Sequence, residues 1–168
     1  MADFTCDPSY LAPTAFKVAV DREKYPNIQF FAQQIQHPSM DLNPVEQSYR
    51  RIAAVSLPGD TLSFGTLEMD VLMDEKMNVY QEIYEWMERL VETKHRANTG
   101  RLYGDPDTLS TYCDIRVSVL SSHNNVSRVL KYVNAMPSSL GNITFASTQE
   151  GQYITFPVSF KFDYFELL

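Results

Sequence analysis

From Ile154 to Tyr164 every second residue is apolar: Ile154, Phe156, Val158, Phe160, Phe162 and Tyr164 alternate with Thr155, Pro157, Ser159, Lys161 and Asp163. Six in-phase positions put one wall of side chains on one face of an extended chain, which a helix with its period of 3.6 cannot do. The segment is therefore predicted to be a single strand, roughly 40 Å long at the usual rise per residue. Phe156, Phe160 and Phe162 are its expected core anchors. Pro157 has no amide hydrogen to give a ladder, so it is expected at an edge or a bulge. A half-buried strand of that length needs both a sheet beside it and a layer beneath it.

The same period recurs earlier in the chain. Phe16, Val18 and Val20 form one such run, and Ile28 to Gln36 is read as a second strand, the two making a hairpin around Lys24-Tyr25-Pro26-Asn27. His37 to Gln47, punctuated by Pro38 and Pro44, is predicted to be a loop, and Ser48 to Leu57 a strand that stops at Pro58-Gly59-Asp60. Leu67, Met69, Val71 and Met73 alternate with polar neighbours, as do Cys113, Ile115, Val117 and Val119. Arg128 to Val133 is a weaker strand, followed by a predicted turn from Met136 to Gly141 into Ile143 to Phe145.

The period changes only once. Val79, Ile83, Trp86, Met87, Leu90 and Val91 follow helical spacing, which predicts an amphipathic helix over about residues 75–94, anchored by Trp86. Asp74 is its candidate N-cap, a carboxylate placed to accept the free amide hydrogens of the first turn. Asn98 to Pro106 is a loop. The expected fold is mainly β, two packed antiparallel sheets in a sandwich or barrel, with that helix on the flank. Pro8 and Pro13 make residues 1–13 an extended arm, leaving residues 14–168 as one domain.

Charge narrows the function. The 168 residues carry 14 Lys and Arg against 21 Asp and Glu, a net charge of −7. Glu68, Asp70, Asp74, Glu75, Glu82, Glu85, Glu88 and Glu92 fall in one stretch with only Lys76 and Arg89 to balance them. General binding to nucleic-acid phosphates needs clustered cations and is not expected. The acidic helix face reads either as a solvated surface or as a stripe, Glu82, Glu85, Glu88 and Glu92, that meets a basic partner. No apolar run reaches the roughly 18–20 residues of a membrane span. Met1 to Pro8 lacks the basic-then-apolar order of a secretory signal, and none is expected.

Chemistry adds little. His37, His95 and His123 have no Cys, Asp or Glu at ligand spacing, so neither a metal nor another cofactor is expected. No phosphate-cradling glycine loop or nucleophile elbow occurs, and no catalytic residues are assigned. Cys113 lies in an apolar strand phase and is expected to be buried; Cys6, on the arm, is placed to reach a neighbouring chain. Asn125-Val126-Ser127 and Asn142-Ile143-Thr144 match the glycosylation sequon and, with no signal expected, are expected to be accidental.

The order of elements resembles the tail tube protein of contractile-tailed bacteriophages. The likeness is carried by Ala15 to Val20, by Phe30-Phe31-Ala32 with Pro38, and by Ile52 through Pro58-Gly59-Asp60. It continues in Leu67 to Met73 with Asp74-Glu75 and Tyr84-Glu85-Trp86, in Asn134 to Gly141, and in Phe160 to Glu166. The resemblance implies a structural virion protein of the tail: hexameric rings stack into a hollow tube that passes DNA without specific binding, inside a contractile sheath. Implied partners are further copies of the chain, the sheath protein, and the tube-initiator and terminator proteins, themselves alternative identities within the fold. Assembly in the host cytoplasm follows from the same likeness. Under it the acidic helix faces the sheath. Phe4, Cys6 and Tyr10 of the arm, with Met40, Asp41, Asn43 and Glu46 of the loop, make ring-to-ring contacts. A different class stays open from the residues alone, a small-molecule-binding β-barrel with an aromatic interior.

Overall fold

The computed structural model describes residues 11–21, 25–28, 32–49, 53–91, 112–146 and 153–168. Its elements are β1 (Phe16–Ala19), β2 (Ala32–Gln36), β3 (Met40–Leu42), β4 (Val45–Tyr49), β5 (Ala53–Leu57), β6 (Leu62–Phe64), β7 (Leu67–Leu72), α1 (Asn78–Leu90), β8 (Cys113–Leu120), β9 (Val126–Leu140), β10 (Thr155–Lys161) and β11 (Tyr164–Leu167). The arm residues Phe4, Cys6 and Tyr10, and Glu92 beyond the helix, lie outside the described residues.

Seven strands form one antiparallel sheet in the order β1-β8-β9-β10-β7-β2, with β11 also on β9. The 15-residue β9 belongs to two halves of it. Its first part pairs with β8 on one side and β11 on the other, and its last part pairs with β10. The passage between the halves is at Asn134, a residue in the left-handed region (φ 55°) that asparagine tolerates better than most. Its amide donates to Asp114 Oδ1 (3.3 Å) and its side-chain amide to Asp163 Oδ2 (2.7 Å), so both neighbouring segments hold the bend. The turn expected at Met136 to Gly141 is thus strand up to Leu140, and the bend falls earlier, on one residue.

The long alternating segment at the end of the chain is likewise two strands rather than one. β10 and β11 run along the same side of β9 and break at Phe162-Asp163. Phe156, Phe160 and Val158 of β10 are fully buried, while Phe162, at the break, is only half-buried. Pro157 sits in an interior strand, opposite Asp70 of β7 on one side. On its other side β9 has just ended, and Gly141 donates to the Pro157 carbonyl at 2.8 Å. A Cβ on Gly141 would lie 2.3 Å from the proline ring, so only glycine fits there.

β1 and β2 do not pair. Val18 of β1 lies opposite Val117 of β8, whereas β2 edges the other half beside β7. Tyr25 and Ile28 between them are buried in the core. That core gathers Val18, Ile115, Val117, Tyr132 and Ala135 from one half with Leu67, Met69, Val71, Phe156, Val158 and Phe160 from the other. The seam is closed by Val79, Ile83 and Trp86 of α1. Cys113 is buried there as expected.

The helix is shorter than its pattern. It begins after Met77, which is left-handed (φ 57°), and ends before Val91, whose backbone is extended and whose side chain is exposed. Asp74 nevertheless performs the capping chemistry from three residues before Met77: Oδ2 accepts the Asn78 amide (3.0 Å) and Oδ1 the Val79 amide (3.2 Å). Partial desolvation disfavours its charge, but these amides, with those of Asp74 and Lys76, outweigh it and hold the carboxyl below its ordinary value. A depressed carboxyl stabilises above its unfolded-state pKa and stops doing so as pH falls through the folded one. Asp74→Ala is expected to cost about 1 kcal/mol in neutral urea denaturation. The difference from wild type should close below the ordinary aspartate range; a gap unchanged there would refute the cap.

Candidate assembly surfaces

The segment predicted as loop, turn and single strand is one long hairpin. β3 pairs with β6 from Met40↔Phe64 to Leu42↔Leu62, and β4 with β5 from Val45↔Leu57 to Tyr49↔Ala53. The two ladders are separated by Asn43-Pro44 on one leg and Pro58 to Thr61 on the other. At this joint the Asn43 amide donates to the Thr61 carbonyl (3.3 Å), and the Asn43 carbonyl fills the space where a Gly59 Cβ would stand, 1.6 Å away. Residues opposite each other in a ladder share a face, so Met40, Leu42, Leu62 and Phe64 form one apolar row, and Val45, Leu57 and Val55 share a second face with the polar Gln47. Asp41, Ser63, Glu46 and Ser56 lie on the reverse faces. Met40, Val45 and Leu62 are each more than half exposed. Beyond Phe64 at its base, the described apolar residues of this amphipathic ribbon are exposed in the subunit and suited to another surface.

The base of the ribbon is fixed by rings. Phe64 lies 5.8 Å from Phe162 and 5.5 Å from Phe165, and Tyr132 stands 5.1 Å from Phe162. His37, where the chain enters the ribbon, packs edge-on against Phe165 (4.9 Å) and shares a 2.7 Å hydrogen bond between Nδ1 and the Tyr132 hydroxyl. Burial pushes the Tyr132 phenol up to about 12, so it stays neutral in this contact. The alternation of the last segment predicts Phe162 in the core and the neighbouring prolines put His37 in a loop; neither pattern points to this footing. The clue was Phe64, an aromatic five residues after Gly59.

A second surface is the half-sheet β1-β8-β9-β11. Among the described residues its outer strands β1 and β11 each pair on one side only. The core face holds Val18, Ile115, Val117 and Tyr132; the reverse face mixes Lys17, Arg116, Ser118, Lys131 and Glu166 with Ala19, Val129 and Val133. Its central row runs Ala19, Arg116, Lys131, Glu166 across the four strands, and Lys131 makes a 3.0 Å ion pair with Asp114. Among the described residues charges of both signs are interspersed on this face, Lys17, Arg116 and Lys131 with Asp114 and Glu166.

The acidic helix is the third. Glu85 accepts from the Gln81 side chain (2.9 Å) and Glu88 from the Tyr84 hydroxyl (2.7 Å), both along the outer part of α1. Glu82 departs from the expected stripe. Its Oε1 accepts from the Asn27 side chain, and Oε2 is buried without a hydrogen-bond partner. Burial disfavours its charge, partly offset by Asn27 and reinforced by Asp74 and Glu85, so its carboxyl is raised above the ordinary value. Glu82 therefore links the helix to the Tyr25–Ile28 segment instead of facing outward. Arg89, one turn after Glu85, donates from Nε to the Glu85 backbone carbonyl (3.0 Å) and lies over the Tyr25 ring.

Met40, Asp41, Asn43 and Glu46 all fall on the ribbon and are exposed, whereas Trp86, Phe156 and Phe160 are buried anchors. Among the described residues no group of three His, Cys, Asp or Glu is placed to hold a metal, and no helix is long and apolar enough to cross a membrane.

A family profile described as phage tail tube protein matches residues 3–168. No curated protein sequence matches the chain. Among solved structures, a chain of the anti-feeding prophage tube-terminating cap is similar over 100% of this chain and 99% of its own, with a TM-score of 0.67 and 14% identity. A chain from the sheath-tube complex of an extracellular contractile injection system, in its extended state, covers 95% and 91% with a TM-score of 0.65 and 13% identity. A chain of the sixfold-symmetrised anti-feeding prophage baseplate covers 97% of both chains with a TM-score of 0.66 and 10% identity. At these identities the likeness establishes the fold.

Proposed function

We propose that this chain, which belongs to the phage tail tube protein family, is a structural, non-catalytic unit that forms hexameric rings stacked into the inner tube of a contractile virion tail. The observation that carries this reading is the half-sheet β1-β8-β9-β11. Its four strands alternate in direction, so β1 and β11 run oppositely, and joining β11 of one copy to β1 of the next continues an antiparallel ladder. Such a contact is head-to-tail and repeats around a closed ring. Each copy then hides two strand edges that would otherwise be exposed. Sixfold closure is supported by the similar chain in a sixfold-symmetrised baseplate.

In this arrangement the reverse face of the half-sheet lines the bore. Its interspersed charges offer DNA phosphates no cluster to grip, as passage requires. The ribbon, with Met40, Asp41, Asn43 and Glu46, and the arm, with Phe4, Cys6 and Tyr10, reach the next ring. Glu85, Glu88 and Glu92 face the sheath, while Glu82 serves the subunit's own packing. Single exposed ion pairs contribute roughly 0.2–1 kcal/mol, weak enough to release on contraction and strong enough, when repeated, to set register.

A tube initiator or terminator is the second reading, favoured by the similar chains in a baseplate and a tube-terminating cap. The small-molecule carrier is disfavoured by an interior filled with Trp86, Tyr25, Phe156 and Phe160. Negative-stain microscopy of the purified chain tests the main reading: stacked hollow rods are expected, single rings favour initiator or terminator, and a persistent monomer would refute all three. In the same particles, Glu85→Lys with Glu88→Lys should leave rods intact and reduce sheath attachment; unchanged sheathing removes the helix from that role.

A further inference from the structure

Among the described residues the two unpaired edges of the β1-β8-β9-β11 half-sheet carry opposite charge on the same face. Glu166 lies on β11, opposite Lys131 of β9. Arg116 of β8 lies opposite Ala19 of β1, and Lys17 is two residues from Ala19 on that same edge strand. Arg116, Glu166 and Lys17 are exposed, and none has an ionic partner among the described residues, since Lys131 is engaged by Asp114. Ala19 stands between Arg116 and the open edge and is the one small side chain of the row. Above it the face is hollowed into a groove of about 800 Å³ that Ala19, Asp114, Arg116, Ser118 and Val129 help to line.

We propose that Arg116 reaches over Ala19 to form an ion pair with Glu166 of the next copy, so that each ring seam is locked by a charge pair on the reverse face. The partner is a second copy of this chain, and the inference rests on the ring reading above. Charge complementarity between the two edges carries it. Joining β11 of one copy to β1 of the next puts the neighbour's β11 two strand spacings from β8, about 10 Å. A guanidinium side chain and a glutamate side chain close that gap together, whereas any residue larger than Ala19 would stand in the way. The pair also specifies direction: β11 against β11 would set glutamates together, and β1 against β1 would set Arg116 and Lys17 together, so only the head-to-tail seam is neutralised.

The test uses the full chain with ring formation read by negative-stain microscopy and mass photometry. Arg116→Glu alone, or Glu166→Arg alone, should lower ring formation roughly two- to fivefold per seam, with wild-type assembly weakening as salt rises. An equimolar mixture of the two variants should recover rings, because in an alternating ring every seam again joins opposite charges. Recovery on mixing is the readout that a folding defect does not give. Both positions are exposed, so monomer melting should be unchanged. If a reversal does lower it, Arg116→Gln and Glu166→Gln replace the reversals, and loss of the salt dependence is read instead. Rings that ignore these variants, or variants that mixing does not rescue, overturn the seam pair and leave the ring reading standing. A wild-type chain that forms no rings overturns the ring reading and the seam with it.

Discussion

Trp86→Ala should destabilise the domain by about 3–5 kcal/mol, the usual cost of emptying a large aromatic site. Trp86 is 1% exposed and stacks on Tyr25 with ring centroids 4.4 Å apart and planes 18° from parallel. On its other side it meets Phe160 at 6.0 Å. It therefore ties three separate parts of the chain: the helix, the Tyr25–Ile28 segment and β10. Removing it leaves a cavity between Tyr25 and β10, and β10 is held in place by its ladders with β7 and β9, so the site is slow to collapse inward. Against a typical total of 5–15 kcal/mol, a loss of that size is a large share. Urea denaturation followed by far-ultraviolet circular dichroism measures it, with Trp86→Phe as the comparison. Phenylalanine keeps a ring against Tyr25 and should lose clearly less. A loss below about 1 kcal/mol for the alanine variant would mean that the site refills and that the helix is held chiefly elsewhere.

That anchor was legible in the sequence because burial and periodicity agree at Trp86: Val79, Ile83 and Trp86 are buried at helical spacing. The alternating runs at Leu67–Leu72 and Cys113–Val117 are strands for the same reason, one face of each being buried in the core. What failed was pairing. Proximity in sequence suggested that β1 folds back on β2, but Val18 finds Val117, a partner chosen by packing rather than by chain order. The ribbon failed differently. Beyond Phe64 its described apolar residues are exposed within the subunit, so the alternation of Met40 and Leu42 is brief and broken by Pro44. Pro58-Gly59 read as a turn, whereas Gly59 is there because the Asn43 carbonyl from the opposite leg fills the space of a Cβ. Asn134 is a bend made by one residue, which composition around Pro137 displaced into a longer turn. Glu82 shows the limit of charge patterns: helical spacing places it beside Glu85, but only the fold brings Asn27 to it.

Cutting the ribbon back to its base should separate folding from stacking. With Leu42 joined to Leu62 through Asn-Gly, a two-residue turn suited to an antiparallel pair, the Met40–Leu42 and Leu62–Phe64 ladder is retained. So is the ring cluster of His37, Phe64, Tyr132, Phe162 and Phe165 that holds it. Among its described residues the deleted segment contributes none to the buried core, and Val45, Val55 and Leu57 are exposed within it. Closing a shorter loop also costs slightly less entropy. The melting temperature should therefore change by no more than about 2–4 °C, the equivalent of 1 kcal/mol in a domain of this size. Assembly should respond very differently. The half-sheet edges that close the ring are untouched, so single rings form, but the outer apolar positions Val45, Val55 and Leu57, which would bury against the next ring, are gone. Microscopy should find rings without rods, and light scattering should give one ring mass across concentrations at which the intact chain makes long tubes. Rods of normal length from the shortened chain would move stacking to the arm or to another surface. Loss of the rings themselves would place the ribbon at the seam between neighbours within a ring.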